Sequence, residues 1–419
     1  MTTERPSDHR PSPFRQFLLK VASRCNLACS YCYVYQGADR SWATRPHFMS
    51  DAVADAAATR IAEHVETHDL DGVQIILHGG EPLLAGPERL ARILDRVSRL
   101  RDLTASTGAP LEVELYVHTN GLLLDEAVLD VLERFRVKVG ISLDGTADAH
   151  DRNRPRHAGG GTHADVVAAI GRLRERPGLF SGLLGVIDLR ADPVAFYEAM
   201  AAFDPPRIDL LLPHATWSTP PPGIEAGPSW RPRPTPYADW LIAAFDRWYR
   251  ADHRETCVRF FDAVMRLLLG GGTSTESLGM AAVDIVTIET DGWIEQVDTL
   301  KAAYDGAPAT GLHVLRHTLD EALAHPGIVS RQIGLDALSD ACRSCPVVSV
   351  CGGGLYTHRY LEGSGFRNPS VYCRDLYRFI THVRDTIQAD VDALRRTPEP
   401  AVWSGPAAPP TIATSAGPG

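Results

Sequence analysis

Three cysteines lie close together near the start of the chain, and their thiols are the clearest candidates for chemistry. They follow the pattern Cys25-x3-Cys29-x2-Cys32, with Tyr31 before the last one. Grouped thiols in a reduced setting indicate metal ligands rather than a disulfide framework. Iron–sulfur cubanes normally take four cysteines, so three thiolates leave one iron open to another ligand. A zinc loop or unrelated thiols is the alternative interpretation of this spacing.

Short polar motifs follow three apolar runs further along the chain. Each comes directly after a predicted strand: GGEP (79–82), TNG (119–121) and SLDG (142–145). Parallel α/β folds build their active sites at the carboxyl ends of strands, and glycines let a ligand approach the backbone closely. Each motif alone is a common turn, but together they indicate one site behind the cysteine loop.

A second cysteine group lies near the C-terminus. It reads Cys342-x2-Cys345-x5-Cys351 and is closed by Cys373. Four thiolates satisfy either zinc or a fully ligated iron–sulfur cluster, and the spacing does not decide between them.

The elements that position these groups alternate between residues 14 and 214. Six β–α repeats predict an α/β fold, either barrel-like or an open parallel sheet, because strands this apolar suit a parallel sheet covered by helices. Ser50 and Asp51 are available to cap the first helix. The predicted strands are 17–22, 73–78, 111–118, 137–143, 183–189 and 208–214. The predicted helices are 51–65, 87–100, 124–135, 163–176 and 193–202.

Composition narrows the class of protein. The 419 residues carry 42 Lys and Arg against 52 Asp and Glu, a net charge of −10. This acidic balance argues against a nucleic-acid partner, whose phosphates need basic residues. No apolar run approaches the roughly 20 residues of a membrane helix, and the N-terminus lacks the apolar centre of a secretory signal. We therefore expect a cytoplasmic protein with no membrane partner.

The first cysteine group and the GGE motif resemble those of the radical S-adenosylmethionine (SAM) enzymes. The resemblance implies a partial (β/α)6 TIM-like barrel and a 4Fe–4S cluster whose open iron binds the amino and carboxylate groups of SAM. It also implies that Glu81 and the adjacent backbone hold the amino group, and that Ser142 and Arg154 hold the carboxylate or ribose. The alternatives are turn chemistry for Asn120, Ser142 and Asp144, and a solvated loop for Arg154. The implied cofactor-binding residues are Tyr31, Gly79, Gly80, Glu81, Asn120, Ser142, Asp144 and Arg154, and the implied cluster ligands are Cys25, Cys29 and Cys32.

The segment CRSCPVVSVCGGG (342–354) resembles the SPASM extension of radical SAM enzymes, which carries auxiliary 4Fe–4S clusters. Full extensions have two further cysteines where this chain has Val297 and Leu355. The resemblance therefore implies one auxiliary 4Fe–4S cluster, held by the four C-terminal cysteines. Asp298 is the candidate proton acceptor, since sulfatase-maturing relatives have an acid there. A hairpin-capping role is its alternative.

Residues 289–314 and 351–376 resemble the FxsB-type radical SAM/SPASM peptide maturases. The resemblance implies β-hydrogen abstraction from a ribosomally made precursor peptide and a carbon–carbon cyclophane crosslink to an aromatic side chain. We expect the precursor to dock on the barrel mouth and the C-terminal domain by adding a strand, and a flavodoxin or ferredoxin to donate electrons. The alternatives are a thioether- or formylglycine-forming maturase and a non-enzymatic iron–sulfur or zinc protein.

The chain divides into predicted segments around these sites. Cys257 is expected to be a buried apolar side chain on a helix. His78, His118 and His214 are expected to be core or loop histidines, and facing the pocket is the alternative. The segments are a flexible tail (1–13), the radical SAM barrel (14–217), a Pro-rich linker (218–236), a helical connector (237–275), the SPASM-like domain with a hairpin at Asp291-Gly292 (276–395), and a disordered tail (396–419).

Overall fold

A single large sheet organises the protein. The computed structural model describes residues 11–106, 108–176, 178–225, 234–251, 256–273 and 275–396. Within these segments the sheet has ten strands. The strands are β1 (Gln16–Ala22), β2 (Gly72–Gly79), β3 (Glu112–Thr119), β4 (Lys138–Ser142), β5 (Phe180–Val186), β6 (Arg207–Leu211), β7 (Cys257–Val258), β8 (Ile285–Ile288), β9 (Trp293–Glu295) and β10 (Ala309–His313).

Strands β1 to β6 lie side by side in chain order and pair in parallel. Helices connect them, which confirms the predicted partial (β/α)6 barrel. Helices cover the outer face of the strands, which is apolar, and Phe17, Leu19 and Val21 of β1 have no exposed surface there. The opposite face also carries polar side chains such as Lys20. The parallel order brings the carboxyl ends of all six strands to one edge of the sheet, where the polar motifs meet.

Helices pack around the sheet, and several begin at the caps that the sequence offers. The Ser50 side chain accepts a hydrogen bond from the Val53 amide, as predicted, and Asp125 and Asp192 cap two later helices in the same way. The helices are α1 (Asp51–His68), α2 (Gly86–Ser98), α3 (Glu126–Phe135), α4 (Ala147–Asn153), α5 (His163–Arg174), α6 (Pro193–Ala201), α7 (Pro236–Tyr249), α8 (Arg259–Leu268), α9 (Leu319–Leu323), α10 (Pro326–Val329), α11 (Asp340–Arg343), α12 (Val348–Cys351) and α13 (Cys373–Arg396).

The last two barrel strands end earlier than their apolar runs indicate. β6 stops at Leu211, and Pro213 has no amide hydrogen with which to continue the ladder, so His214 lies in the following loop. β5 stops at Val186, and the Asp188 carboxylate then accepts a hydrogen bond from the Arg190 amide in a turn. The short helix α4 after SLDG lies outside the predicted helices.

The predicted hairpin at Asp291-Gly292 is confirmed. β8 and β9 pair antiparallel, and Gly292 has a φ of 92°, a conformation that favours glycine in such a turn. β8 also pairs in parallel with β1, so the hairpin and β10 extend the barrel sheet. This pairing brings the segment after the hairpin, including Asp298, to the edge of the barrel where β1 ends.

Cys257 differs from its prediction. It lies in β7, which pairs in parallel with β6, and α8 begins only at Arg259. The side chain is half-buried rather than fully buried. The reason is that β6 would otherwise end the sheet with unpaired backbone groups, and residues 257–258 satisfy some of them.

Several predicted segments lie partly outside the described residues. These are residues 1–10 of the N-terminal tail, 226–233 of the Pro-rich linker and 397–419 of the C-terminal tail. Among the residues that the structure does describe, none of the helices is both long enough and apolar enough to cross a membrane.

Candidate active site and auxiliary thiol site

A cavity of about 270 Å³ lies at the carboxyl ends of the barrel strands. It brings together residues that the sequence places in four separate motifs. The residues predicted to bind the cluster or SAM that line it are Cys25, Cys29, Tyr31, Cys32, Gly79, Gly80, Glu81, Asn120, Ser142 and Arg154. Asp144 lies behind this wall.

The three thiols of the cysteine loop line this cavity together. All three are free and partly exposed. Burial raises the pKa of Cys25 to about 12, and burial also raises the pKa of Cys29. Thiolates in such a site need a nearby positive charge, and a bound metal group supplies one. The three thiols converge on one cavity and fit a metal cluster, whose charge would stabilise their thiolates.

The two glycines of GGEP allow close packing between neighbouring strand ends. A Cβ at Gly80 would lie 1.8 Å from the Tyr35 hydroxyl oxygen, and one at Gly79 would lie 2.1 Å from the Ala22 carbonyl oxygen. Both glycines are therefore required by packing against the start of the cysteine loop, besides any role in leaving backbone open to a ligand.

The Glu81 carboxylate joins the ends of β2 and β3. It accepts hydrogen bonds from the Asn120 amide at 2.8 Å, the Thr119 hydroxyl at 2.7 Å and the Leu83 amide at 2.9 Å. Burial raises its pKa, although these donors act in the opposite direction. Glu81 thus fixes the TNG motif beside the GGE motif, while it also lines the cavity.

Tyr31, Asp144 and Arg154 form a connected group on another wall. The Tyr31 hydroxyl donates to the Asp144 carboxylate, and the Arg154 guanidinium donates to the Tyr31 oxygen at 2.8 Å. Arg154 is 8% exposed, and its buried Nε has no hydrogen-bond partner. A buried guanidinium with an unused donor beside a cavity fits an anionic group such as the carboxylate of SAM.

Asp298 lies one layer behind the cavity wall. Its carboxylate accepts hydrogen bonds from the Lys20 ammonium at 2.5 Å and the Tyr33 hydroxyl at 2.6 Å. The Lys20 ammonium, together with His78 and the Tyr33 hydrogen bond, holds the pKa of Asp298 well below its usual range despite complete burial. The carboxylate is therefore ionised and already paired.

Lys20 also fixes the state of His78. Its ammonium lies 3.0 Å from His78 Nδ1, and an ammonium can only donate, so Nδ1 accepts and the ring proton sits on Nε2. Lys20 is not among the site residues predicted from the sequence, although the sequence contains a signal for it. A lysine in the middle of the apolar strand FLLKVA is 2% exposed, and lysines are almost never buried without a partner.

For His78, His118 and His214 the structure favours the alternative over a core or loop role alone, because all three line the cavity. Burial lowers the pKa of His78 to about 3 and those of His118 and His214 to about 4. The three rings are thus neutral at physiological pH. The strand-end positions of His78 and His118 were the signal that could have placed them there.

The four C-terminal thiols line one small cavity of about 50 Å³. Burial raises the pKa of Cys351 to about 11 and that of Cys373 to about 12, and the neighbouring thiols add to the shift. The clustering confirms that the four cysteines form one group. Crowded thiols with raised pKa values fit a multivalent metal group, whose charge stabilises the thiolates.

A buried arginine supports the loop that carries these thiols. Arg359 donates to the carbonyl oxygens of Gly352, Gly353 and Gly354 at 2.7 to 3.1 Å. The three glycines have φ values of 60°, 81° and 68°, a left-handed run that other residues adopt rarely. Arg359 is not among the residues predicted from the sequence, although the three consecutive glycines after Cys351 indicate a loop with a left-handed backbone.

Apolar packing occupies the region where a full SPASM extension has its two further cysteines. Val297 is 3% exposed and packs with Leu300, Ala303 and Ala307, and Leu355 is 6% exposed. Tyr356, Tyr360 and Phe366 pack against the same cluster.

One further group has metal-like spacing. His64 and His68 lie one turn apart on α1, and each ring is 2.7 Å from the Asp320 carboxylate. However, His64 Nε2 accepts a hydrogen bond from the Phe14 amide, so Nδ1 carries the ring proton and donates it to Asp320. A protonated nitrogen cannot bind a metal, and the group instead ties the start of β1 to α1 and α9.

Comparisons with known proteins agree with this site. Residues 19–192 match the model of the Radical SAM superfamily. The serine-type anaerobic sulfatase-maturating enzyme of Bacteroides thetaiotaomicron is 21% identical over 392 residues, which cover 88% of this chain and 89% of that one. The cysteine-type enzyme of Clostridium perfringens is 24% identical over 374 residues, with 88% and 96% covered.

Solved structures share the fold. The anaerobic sulfatase-maturating enzyme anSMEcpe with bound AdoMet superposes with a TM-score of 0.73 at 20% identity, covering 90% of this chain and 99% of that chain. Streptococcus suis SuiB bound to its precursor peptide SuiA superposes with a TM-score of 0.56 at 11% identity, covering 87% and 76%. Residues 19–192 thus match the Radical SAM superfamily, and together with the cavity described above this match indicates an enzyme that uses a 4Fe–4S cluster and SAM.

Proposed function

We propose that this enzyme modifies a ribosomally made precursor peptide, removing a β-hydrogen and forming a carbon–carbon cyclophane crosslink to an aromatic side chain. The observation that carries the proposal is the combination of a complete four-thiol group with buried apolar side chains at Val297 and Leu355. This combination departs from a full SPASM extension and supports the single auxiliary cluster that the resemblance implies.

In this proposal Cys25, Cys29 and Cys32 hold the 4Fe–4S cluster and leave one iron for SAM. When bound, the cluster and SAM supply reductive cleavage of SAM and hydrogen abstraction from the peptide. Arg154 and Ser142 bind the carboxylate or ribose of SAM, and Glu81 and the neighbouring backbone bind its amino group. Asn120 and Tyr31 line the same pocket, and Asp144 orients Arg154 through Tyr31.

The chain's own contribution to crosslinking is positioning and proton removal. Asp298 stays a candidate proton acceptor, although its pairing with Lys20 makes it a weak base at the start of the reaction. A proton that reaches it must pass through the Tyr33 hydroxyl, which donates to Asp298, since Asp298 itself lies behind the cavity wall. The neutral His78 ring presents an Nε2 donor that can bind a peptide carbonyl oxygen.

We further propose that Cys342, Cys345, Cys351 and Cys373 hold one auxiliary 4Fe–4S cluster, which accepts the electron released when aromaticity is restored. The peptide docks at the barrel mouth and the C-terminal domain. β10 (Ala309–His313) pairs with β9 on one side and ends the sheet on the other, so it offers an edge for strand addition. A flavodoxin or ferredoxin in the cytoplasm supplies the reducing electron.

Formylglycine formation is a second candidate, because the sulfatase-maturating enzymes named above align along nearly the whole chain. The buried apolar side chains of Val297 and Leu355, in place of two cysteines, are the observation against it. Two classes of peptide distinguish the candidate functions. The first is a sulfatase-derived peptide with Cys or Ser at the modified position. The second is a short peptide encoded beside this gene, with an aromatic residue two positions from the residue to be modified.

The experiment incubates reduced, iron-loaded enzyme and SAM with each peptide under anaerobic conditions. The proposal predicts that the encoded peptide loses two hydrogen atoms, gains no aldehyde that reacts with a hydrazine, and resists fragmentation between the joined residues. An aldehyde on the sulfatase-derived peptide, with the encoded peptide unchanged, overturns the cyclophane proposal in favour of formylglycine formation.

A further inference from the structure

A chain of aromatic side chains connects the two thiol groups. Tyr33 directly follows Cys32, and Tyr372 directly precedes Cys373. Between them lie His214 and His358. The ring centroids are 4.7 Å apart for Tyr33 and His214, 5.9 Å for His214 and His358, and 4.9 Å for His358 and Tyr372. Each end of this aromatic chain is therefore one peptide bond away from a thiol.

A hydrogen bond runs parallel to the ring contacts. The Tyr372 hydroxyl donates to the Pro213 carbonyl oxygen at 2.8 Å, and Pro213 is bonded to His214. Covalent bonds and one hydrogen bond thus lead from Cys373 to the cavity wall. Electrons tunnel more readily along such connections than across van der Waals gaps, so this path couples the two sites.

The environment of the aromatic chain suits a transfer of charge without proton movement. Tyr372 has no exposed surface and His358 is 3% exposed. His214 Nδ1 and His358 Nε2 are buried without hydrogen-bond partners, so neither nitrogen is tied to a charged group. Buried nitrogens without hydrogen-bond partners are costly, and two of them occur in rings whose centroids lie 5.9 Å apart.

We propose that Tyr33, His214, His358 and Tyr372 form the electron-transfer route between the auxiliary thiol site and the SAM site. The inference rests on the proposed auxiliary 4Fe–4S cluster. One electron leaves the reduced auxiliary cluster, which is oxidised, and reaches the cluster at Cys25, Cys29 and Cys32, which is reduced. No bond forms or breaks, and no proton moves. Through this route, the electron that the substrate releases returns to the SAM site.

The test needs no peptide. Fully reduced, iron-loaded protein is mixed with SAM, frozen at a series of times and examined by electron paramagnetic resonance (EPR). Slow cleavage of SAM consumes the electron of the first site, and 5′-deoxyadenosine measures that consumption. In the wild-type protein we expect the auxiliary EPR signal to decay as its electron moves to the first site.

Two variants and one control decide the outcome. Tyr372→Phe removes the hydrogen bond to Pro213 but keeps the ring, and His358→Gln removes the aromatic contact. We expect each variant to slow the decay of the auxiliary EPR signal at unchanged iron content. We expect the double variant to slow this decay further. Tyr249→Phe is the control, because its ring stacks on Phe245 at 5.1 Å, its hydroxyl bonds to Asp390, and it lines neither thiol cavity.

A double variant whose auxiliary signal decays at the wild-type rate overturns the route. A wild-type auxiliary signal that never decays after SAM cleavage also overturns it. An iron content of about four per chain with no auxiliary signal shows that the second cluster is absent, which contradicts both this inference and the proposed cofactor set. The peptide product assay separately tests the proposed function.

Discussion

The Lys20 ammonium and the Asp298 carboxylate lie 2.5 Å apart, although 278 residues separate them in the chain. Both side chains are almost fully buried, at 3% and 4% exposure. The pair joins β1 of the barrel to the segment after the C-terminal hairpin, and it sits directly behind His78 in the cavity wall. It therefore links the integrity of the cavity to the packing of the C-terminal region.

The ion pair makes a prediction about stability. Lys20→Met leaves an uncompensated buried carboxylate, so we expect it to lower the free energy of unfolding by about 3–5 kcal/mol. The double variant Lys20→Met/Asp298→Asn removes that charge and should recover part of the loss. Urea unfolding followed by circular dichroism measures both. If the double variant is no more stable than Lys20→Met alone, the two residues do not interact as described.

Arg154 makes a prediction about SAM affinity. Arg154→Lys removes the planar donor group that reaches Tyr31 and the cavity, so we expect the Kd for SAM to rise about tenfold or more, as loss of a charged hydrogen bond costs about 1.5–3 kcal/mol. Equilibrium binding to the iron-loaded protein measures the change. Arg156→Lys is the matched control, because Arg156 pairs at the surface with Asp165. Equal affinities for the two variants would remove Arg154 from the SAM site.

The C-terminal thiols make a prediction about metal content. Cys373→Ala should lower iron from about eight to about four atoms per chain, because a cubane needs its fourth thiolate there. Cys257→Ala is the control and should keep the full iron content. Elemental analysis of anaerobically purified protein decides the matter. Four irons and one zinc in the wild-type protein would instead assign zinc to the C-terminal group.

His64 makes a prediction about pH. Burial lowers its pKa from 6.5 to about 4, so the unfolded chain binds a proton that the folded protein does not bind. Its contribution to stability is therefore complete above pH 6.5 and is lost as the pH falls toward 4, by up to about 1.4 kcal/mol per pH unit.

A variant series checks this dependence. His64→Gln should flatten the fall in unfolding free energy between pH 6.5 and 4, while His47→Gln, at an exposed histidine, should leave it unchanged. A fall of unchanged steepness in His64→Gln would show that His64 is protonated in the folded state as well.

Much of the site follows from the sequence for a clear physical reason. Parallel strands in chain order bring their carboxyl ends to one edge, so the residues after β2, β3 and β4 must converge with the cysteine loop after β1. The grouping of Cys342, Cys345 and Cys351 was equally local. These arrangements depend on the spacing of the motif residues and on the type of each element, and both can be predicted from a single sequence.

Other features depend on contacts between distant segments. The sequence around Lys20 and Asp298 does not show that they form an ion pair, because the two residues come together only when β8 pairs with β1. Cys257 lies in a short strand and not in the predicted helix, because it pairs with the edge of β6. His214 entered the cavity wall because β6 ended before Pro213. Contacts between distant segments thus decide the places of Lys20, Asp298 and Cys257, whereas Pro213 is a local signal for the end of β6.

The central claim is that Cys25, Cys29 and Cys32 hold a cluster with one iron free to bind SAM. The most direct measurement uses the Cys373→Ala protein, in which the first cluster is expected to be the sole EPR-active centre after reduction. We predict that SAM changes the EPR spectrum of this centre and that the change is lost in Cys29→Ala. A spectrum that SAM leaves unchanged would contradict the claim.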